Sequence, residues 1–221
     1  MTNLHVDSIT KSYDLKTIIS DVYMSINQGD IVGLLGRNGS GKSTLLKIIF
    51  GSLKAENKFV RVDGQVIRNL RDGRKLINYL PQHNFLPENI KVGTIINTFC
   101  KNGVSKILLN KDSIKNNLDK KNNQLSGGER RIIEIYLILY SEANFILLDE
   151  PFNGVAPIYK EDIKQAIKEE SVNKGIIITD HDYRNVLDIS TRLIIIRDAC
   201  TKELEDRSQL IEYGYLPTGG L

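Results

Sequence analysis

Four short stretches of the chain are apolar without a polar break: Ile31-Val32-Gly33-Leu34-Leu35, Phe145-Ile146-Leu147-Leu148, Ile176-Ile177-Ile178 and Leu193-Ile194-Ile195-Ile196. A strand reads this way only when both of its faces are covered, as in a parallel sheet between two layers. Helical patterns separate the runs, at about 42–50, 158–170 and 182–190, and a further helix follows residue 126 with Ile132, Ile135 and Leu139 on its apolar face. Runs alternating with helices predict an α/β fold with a mostly parallel sheet.

Ahead of the first run the pattern is different. Residues 3–9 alternate, with Leu4, Val6 and Ser8 against His5, Asp7 and Ile9, and Val22, Met24 and Ile26 alternate again. Lys11-Ser12-Tyr13-Asp14 reads as a loop between them. Phe59–Val62 and Gln65–Ile67 flank Asp63-Gly64, a type I′ hairpin signal. Residues 76–80 form another strand, closed by Pro81. Half-buried strands before a buried one predict an antiparallel β edge feeding the parallel core. From His83 to about Gln124, strands cease and apolar residues recur at helical spacing: Val92, Ile95, Ile96 and Phe99, then Ile107, Leu108, Ile114 and Leu118. This predicts a small helical insert, although the Asn-rich stretch 116–123 also fits a mobile loop.

Composition adds limits rather than direction. The 221 residues, 41% hydrophobic and 26% charged, suit one soluble globular domain. No apolar run approaches the roughly 18 residues of a membrane span. The N-terminus lacks the basic and apolar regions of a signal peptide. Cys100 and Cys200 have no metal-ligand spacing, which fits a reducing interior. Net charge is +3, but residues 101–131 carry eight Lys/Arg against three Asp/Glu. That excess reads as a solvated helical face, with phospholipid or nucleic acid as alternative contacts.

Chemistry enters where the first run breaks. Gly36-Arg37-Asn38-Gly39-Ser40-Gly41-Lys42-Ser43 fits G-x-x-x-x-G-K-[ST], a phosphate-binding loop, with Thr44 opening a helix. Glycines let several backbone N–H groups point at one anion, and the helix aims its positive end at the same place. Lys42 supplies charge for the β/γ-phosphates and Ser43 a hydroxyl for Mg²⁺. Ligands of such sheets sit at the carboxyl ends of the strands. Those ends carry Gln82, Asp149-Glu150 and His181, so topology gathers one lysine, one glutamine, two carboxylates and one histidine around a triphosphate. Asp149 is the candidate Mg²⁺ ligand. Glu150, pointing the other way if the strand stays extended, is the candidate base for the attacking water.

With these motifs in view, the chain resembles the nucleotide-binding subunit of an ABC transporter over nearly its whole length. Residues 36–43 match the family's Walker A motif and residues 145–149 its Walker B, with Glu150 at the catalytic glutamate position. Gln82 resembles the Q-loop residue, a further Mg²⁺ contact, and His181 the switch histidine. Leu125-Ser126-Gly127-Gly128-Glu129 resembles the signature. Tyr13 stands where the family places an aromatic ring against adenine. The text from Leu125 to Arg131 and from Asp149 to Phe152 looks most like stand-alone bacterial subunits, including those that drive lipid export. The resemblance implies a single P-loop domain over 1–221, with 1–82 and 126–221 as core and about 83–125 as insert. It also implies ATP and Mg²⁺ as cofactors, and a head-to-tail dimer with a second copy or a homologous ATPase, each signature completing the other's ATP site. The implied setting is cytoplasmic, peripheral at the inner face of the cell membrane, on an integral membrane permease.

Three departures stand out. After Val155 the family usually has aspartate then proline, and this chain has Ala156-Pro157. After Ile196 a glycine turn is usual, and Arg197-Asp198-Ala199-Cys200 stands instead. The stretch from Gln82 to Ser126 is shorter than usual. Two other readings follow: a soluble ATPase acting on a protein or nucleic-acid assembly, and a low-turnover ATP sensor. The short insert and single ATPase unit argue against nucleic acid as a partner.

Overall fold

The computed structural model describes residues 2–100 and 104–216. Two sheets carry the fold. The first is antiparallel, in the order β2-β1-β4-β5, from β1 (Asn3–Tyr13), β2 (Lys16–Asn27), β4 (Asn57–Val62) and β5 (Gln65–Val66). The second has six strands in the order β10-β9-β3-β8-β7-β6, from β3 (Ile31–Leu35), β6 (Ile77–Leu80), β7 (Phe145–Asp149), β8 (Gly175–Thr179), β9 (Arg192–Arg197) and β10 (Cys200–Leu204). Its neighbours pair parallel except β10 with β9. The expected α/β class with an antiparallel β edge is present.

The uninterrupted runs are explained by two cores. Phe145, Leu147, Ile177, Ile194 and Ile196 face a cluster shared with the antiparallel sheet and α1 (Lys42–Phe50). Ile146, Leu148, Ile176, Ile178 and Ile195 face the opposite cluster, built with α5 (Gly127–Leu139), α6 (Pro157–Ser171) and α7 (Tyr183–Ile189). Side chains alternate between faces along a strand, so burial on both faces makes every position apolar.

The insert is helical, with α2 (Val92–Phe99), α3 (Val104–Leu109), α4 (Asp112–Lys115) and a 3₁₀ turn at Asn122–Gln124. Val92, Ile95, Ile96, Leu108 and Ile114 are buried as their spacing predicted, whereas Phe99 and Ile107 are exposed. The Asn-rich stretch is no bare loop. Asn117 donates to Glu129 Oε1 at 3.1 Å, and buried Asn122 donates to the Leu86 carbonyl at 3.1 Å. Lys101 of the basic stretch lies outside the described residues.

Three further features differ from what the sequence pattern predicts. Lys11 to Tyr13 belong to β1, pairing with Ile19, Thr17 and Lys16, so only Asp14 and Leu15 turn. A strand that the pattern did not predict, β10, returns along β9 through Asp198 (φ 50°) and Ala199 (φ 65°). That two-residue turn takes the left-handed conformation without glycine, at a cost of about 1–2 kcal/mol for Ala199. Asp63 (φ 47°) and Gly64 (φ 86°) make the same turn with the expected dipeptide. The C-terminal residues from Tyr213, in which the sequence shows no pattern, are packed as far as described: Leu216 is buried, and Arg37 and Arg197 donate to the carbonyls of Gly214 and Tyr213 at 3.1 and 3.0 Å. Residues 217–221 lie outside the described residues.

Candidate functional site

Where β3 ends, the chain curls through Gly36 into α1. A Cβ on Gly36 would lie 2.5 Å from Ser40 Oγ and 2.9 Å from the Ile196 carbonyl, and its φ of 154° already disfavours a side chain. Helix α1 starts at Gly41 with no side-chain cap and no acidic residue in its first turn. Its first N–H groups are therefore left to an anion. Lys42 folds back on the loop, donating to the carbonyls of Gly36 at 2.7 Å and Arg37 at 3.2 Å. Burial pulls its ammonium below the usual lysine range, against the opposing pull of Glu150 and Asp149.

One open cavity of about 320 Å³ collects most of the predicted site. Tyr13, Asn38, Gly39, Gly41, Lys42, Ser43, Thr44, Gln82, Glu150 and His181 all line it, together with Ile18. The phosphate loop and the ends of β6, β7 and β8 supply most of them, as the strand-end argument expects, and the β1–β2 hairpin adds Tyr13 and Ile18. Gly36 and Ser40 lie on the neighbouring side of the loop, against the C-terminal turn.

Asp149 ends β7 and is buried among hydroxyls. Its Oδ1 accepts from Ser43 Oγ and Thr179 Oγ1, both at 3.0 Å, and its Oδ2 accepts from Tyr79 Oη at 2.8 Å. A serine hydroxyl and a carboxylate oxygen at this separation are hard oxygen donors beside a phosphate cradle, a set that fits Mg²⁺ shared with phosphates.

Glu150 corrects the expectation of extended geometry. Its φ is +50°, so the strand breaks at Asp149 and the side chain swings toward the cavity. Its N–H donates to Thr179 Oγ1 at 3.2 Å and to the Thr179 carbonyl at 3.1 Å. His181 Nε2 lies 3.0 Å from Glu150 Oε2. That is ion-pair distance without hydrogen-bond alignment, and the buried Oε2 has no hydrogen-bond partner. Such an orphaned carboxylate oxygen facing a cavity suits a base awaiting a proton donor.

Ser126, Gly127, Gly128 and Glu129 do not line this cavity. They open α5 instead. Ser126 Oγ accepts from the Glu129 N–H at 3.2 Å, and Glu129 Oε2 accepts from the Ser126 N–H at 2.8 Å, a reciprocal cap. The Ser126 N–H and its hydroxyl, which donates to the same Oε2 at 2.8 Å, hold the Glu129 carboxyl below the usual carboxylate range. Gly127 faces open space, whereas a Cβ on Gly128 would lie 2.6 Å from the Gly154 carbonyl. The helix end thus presents a bare backbone on one side and packs on the turn after Glu150 on the other.

Three residues of this neighbourhood escaped the sequence reading. Arg131, 4% exposed, donates to the carbonyls of Pro81 at 2.6 Å, Asp149 at 2.7 Å and Glu150 at 3.0 Å. It stands 3.5 Å from buried Glu134, whose Oε1 accepts from the Phe85 N–H at 2.9 Å. The segment holding Gln82 is thereby gripped on both sides. Asp180 takes the N–H groups of Phe152 and Asp182 at 3.2 and 2.9 Å, bracing the turns after Glu150 and His181. Tyr79 is the third. Signals existed: a charged i, i+3 pair, Arg131 and Glu134, inside an apolar helix, and polar atoms in two buried strands.

The family described as ABC transporter matches residues 19–153. The chain belongs to the ABC transporter family. The lipopolysaccharide export system ATP-binding protein LptB of Haemophilus influenzae is 33% identical over 210 residues, covering 89% of this chain and 87% of its own length. Its counterpart in Escherichia coli K12 is 32% identical over the same span and coverage. A probable ABC transporter ATP-binding protein of Azorhizobium caulinodans is 34% identical over 201 residues, 85% of this chain and 72% of its own length. A solved structure described as the ATP binding subunit of an ABC transporter superposes with a TM-score of 0.82 over 95% of this chain and 93% of its own, at 21% identity. A nucleotide-free ATP-binding cassette gives 0.79 over 99% and 97%, at 23%. At these identities the two structures bear on fold alone. As a family member the chain binds ATP, hydrolyses it, and powers a separate membrane transport system. Among the described residues no helix is long and apolar enough to cross a membrane.

Proposed function

We propose that the chain forms one half of a two-site ATPase that drives export of a lipid-like cargo through a separately encoded permease. The observation that carries it is the division of the motifs. Tyr13, the phosphate loop, Gln82, Glu150 and His181 share one cavity, while Ser126 to Glu129 open a helix away from it. A helix N-terminus with free backbone N–H groups is suited to the γ-phosphate of another copy's ATP. ATP then joins two copies, and hydrolysis releases them.

In this reading Tyr13 stacks on adenine, while Asn38 to Ser43 and Thr44 hold the phosphates. Lys42 moves from its own loop's carbonyls to the β/γ-phosphates. Ser43, Asp149 and Gln82 hold Mg²⁺, which supplies charge neutralisation on the phosphates when bound. Glu150 orients and deprotonates the attacking water, and His181, 3.0 Å away, steadies the carboxylate and the γ-phosphate side. The whole chain acts as one domain, cytoplasmic and peripheral at the inner face of the membrane. Export of a lipid is favoured by the likeness to LptB proteins over most of both chains.

Affinity capture from solubilised membranes tests the assignment. A multi-span membrane protein is expected to co-purify, and its lipid-dependent stimulation of ATPase activity should vanish in Lys42→Ala. Capture of ribosomes, RNA or DNA with no membrane protein would overturn it.

A further inference from the structure

Tyr79 bridges the Asp149 carboxylate and the end of α1 without lining the cavity. Its hydroxyl donates to Asp149 Oδ2 at 2.8 Å in a buried hydrogen bond. Its ring packs on Phe50, the last residue of α1, with centroids 5.5 Å apart. It sits on β6, three residues before Gln82 and paired in parallel with Leu147 of β7. Asp149 Oδ1 is already engaged by Ser43 and Thr179, so the phenol is the donor to the other oxygen. A carboxylate held at both oxygens cannot rotate about its terminal bond, and Oδ1 stays aimed at Ser43.

We infer that Tyr79 is a positioning residue that fixes the Asp149 carboxylate through its hydroxyl and so sets how tightly the nucleotide site holds its divalent cation. The inference rests on the reading above that Ser43 and Asp149 form the cation side. Outer-shell partners that orient a metal-binding carboxylate typically change metal affinity by about 10–100-fold. A single hydrogen bond to a carboxylate that also has two other donors belongs at the lower end. The phenol does not line the nucleotide cavity, so nucleotide binding without the cation is expected to be independent of it.

The test is Tyr79→Phe, which keeps the ring against Phe50 and removes one oxygen. A fluorescent ATP analogue is titrated first in EDTA, and then at fixed nucleotide with rising Mg²⁺. Nucleotide affinity in EDTA is expected to stay within twofold of the parent. The Mg²⁺ concentration for half-maximal binding should rise about tenfold, and kcat at saturating Mg²⁺ should return to near the parent value. An unchanged Mg²⁺ midpoint overturns the inference. So does an equal loss in EDTA and in Mg²⁺, which would mean that the hydroxyl acts through packing of α1. Asp149→Asn separates the two levels. If it leaves the Mg²⁺ midpoint untouched, the cation-side reading itself fails. If it moves the midpoint while Tyr79→Phe does not, only the role of Tyr79 falls.

Discussion

Replacing Arg131 by methionine should be among the most damaging single changes outside the nucleotide cavity. The side chain is 4% exposed and its guanidinium donates to three backbone carbonyls, at 2.6, 2.7 and 3.0 Å. Each hydrogen bond to a charged group contributes about 1.5–3 kcal/mol, but bonds sharing one side chain are not additive. Glu134 matters more: it is fully buried, and its Oε2 lies 3.5 Å from the guanidinium. Leaving a buried charge without its partner costs about 3–5 kcal/mol. That is a large share of the roughly 5–15 kcal/mol available to a domain. Urea denaturation should therefore show Arg131→Met destabilised by about 3–5 kcal/mol. The double variant Arg131→Met/Glu134→Met should recover part of the loss, because no orphaned charge remains. Activity should fall further than stability explains. The guanidinium pins the carbonyls of Asp149 and Glu150, and a displacement near 1 Å at a catalytic group can cost about 100-fold in rate. A loss below about 1 kcal/mol, or a double variant less stable than Arg131→Met, would refute this account of the clamp.

Gly128→Ala drives a Cβ against the Gly154 carbonyl, 2.6 Å away; thermal unfolding should show a loss of about 1–3 kcal/mol, with Gly127→Ala milder. Ala156 stands at the N-cap of α6 in extended geometry with no side-chain cap, ahead of Pro157. Ala156→Asp should stabilise the chain by about 1 kcal/mol in urea and, if the family's usual aspartate links the two ATP sites, sharpen the cooperativity of hydrolysis. Glu134 titrates above the ordinary carboxylate value of 4.5 because burial disfavours its charge. The native state then holds the proton more tightly than the unfolded chain, so this group's contribution to stability is present below about 4.5 and lost as pH rises through its native value. Relative to Glu134→Gln, the parent's urea midpoint should fall as pH rises from the acid side. A relative rise would mean that Arg131 and the Phe85 N–H outweigh burial.

The parts of the fold legible in the sequence are those where one cause fixes one pattern. Phe145 to Leu148 could only be a doubly covered strand, and Gly36 to Ser43 could only close around an anion. Gln82, Glu150 and His181 are placed together because strand ends in such a sheet point one way, whereas Tyr13 is placed by the family resemblance alone. Strand β10 was hidden because it is an edge: Cys200, Lys202 and Glu203 are exposed and its turn lacks glycine. The left-handed backbone of Glu150 leaves no trace in the hydrophobic pattern, since it is imposed by Thr179 and Arg131 from elsewhere in the chain. Asn117 and Asn122 look like loop residues because asparagine favours loops, yet both are buried and their side-chain N–H groups donate to Glu129 and to the Leu86 carbonyl. A buried arginine is the hardest case, since its type alone argues for the surface.

Above all, this chain is proposed to carry half of each ATP site, with a second copy completing it. Glu150→Gln removes the candidate base while keeping side-chain volume, so ATP should remain bound and unspent. Sedimentation velocity of that variant should show monomers without nucleotide and dimers with ATP and Mg²⁺, and Ser126→Arg on the same background should abolish the dimer while leaving ATP binding intact. Monomers at saturating ATP, or dimers unaffected by the Ser126 change, would contradict the shared site.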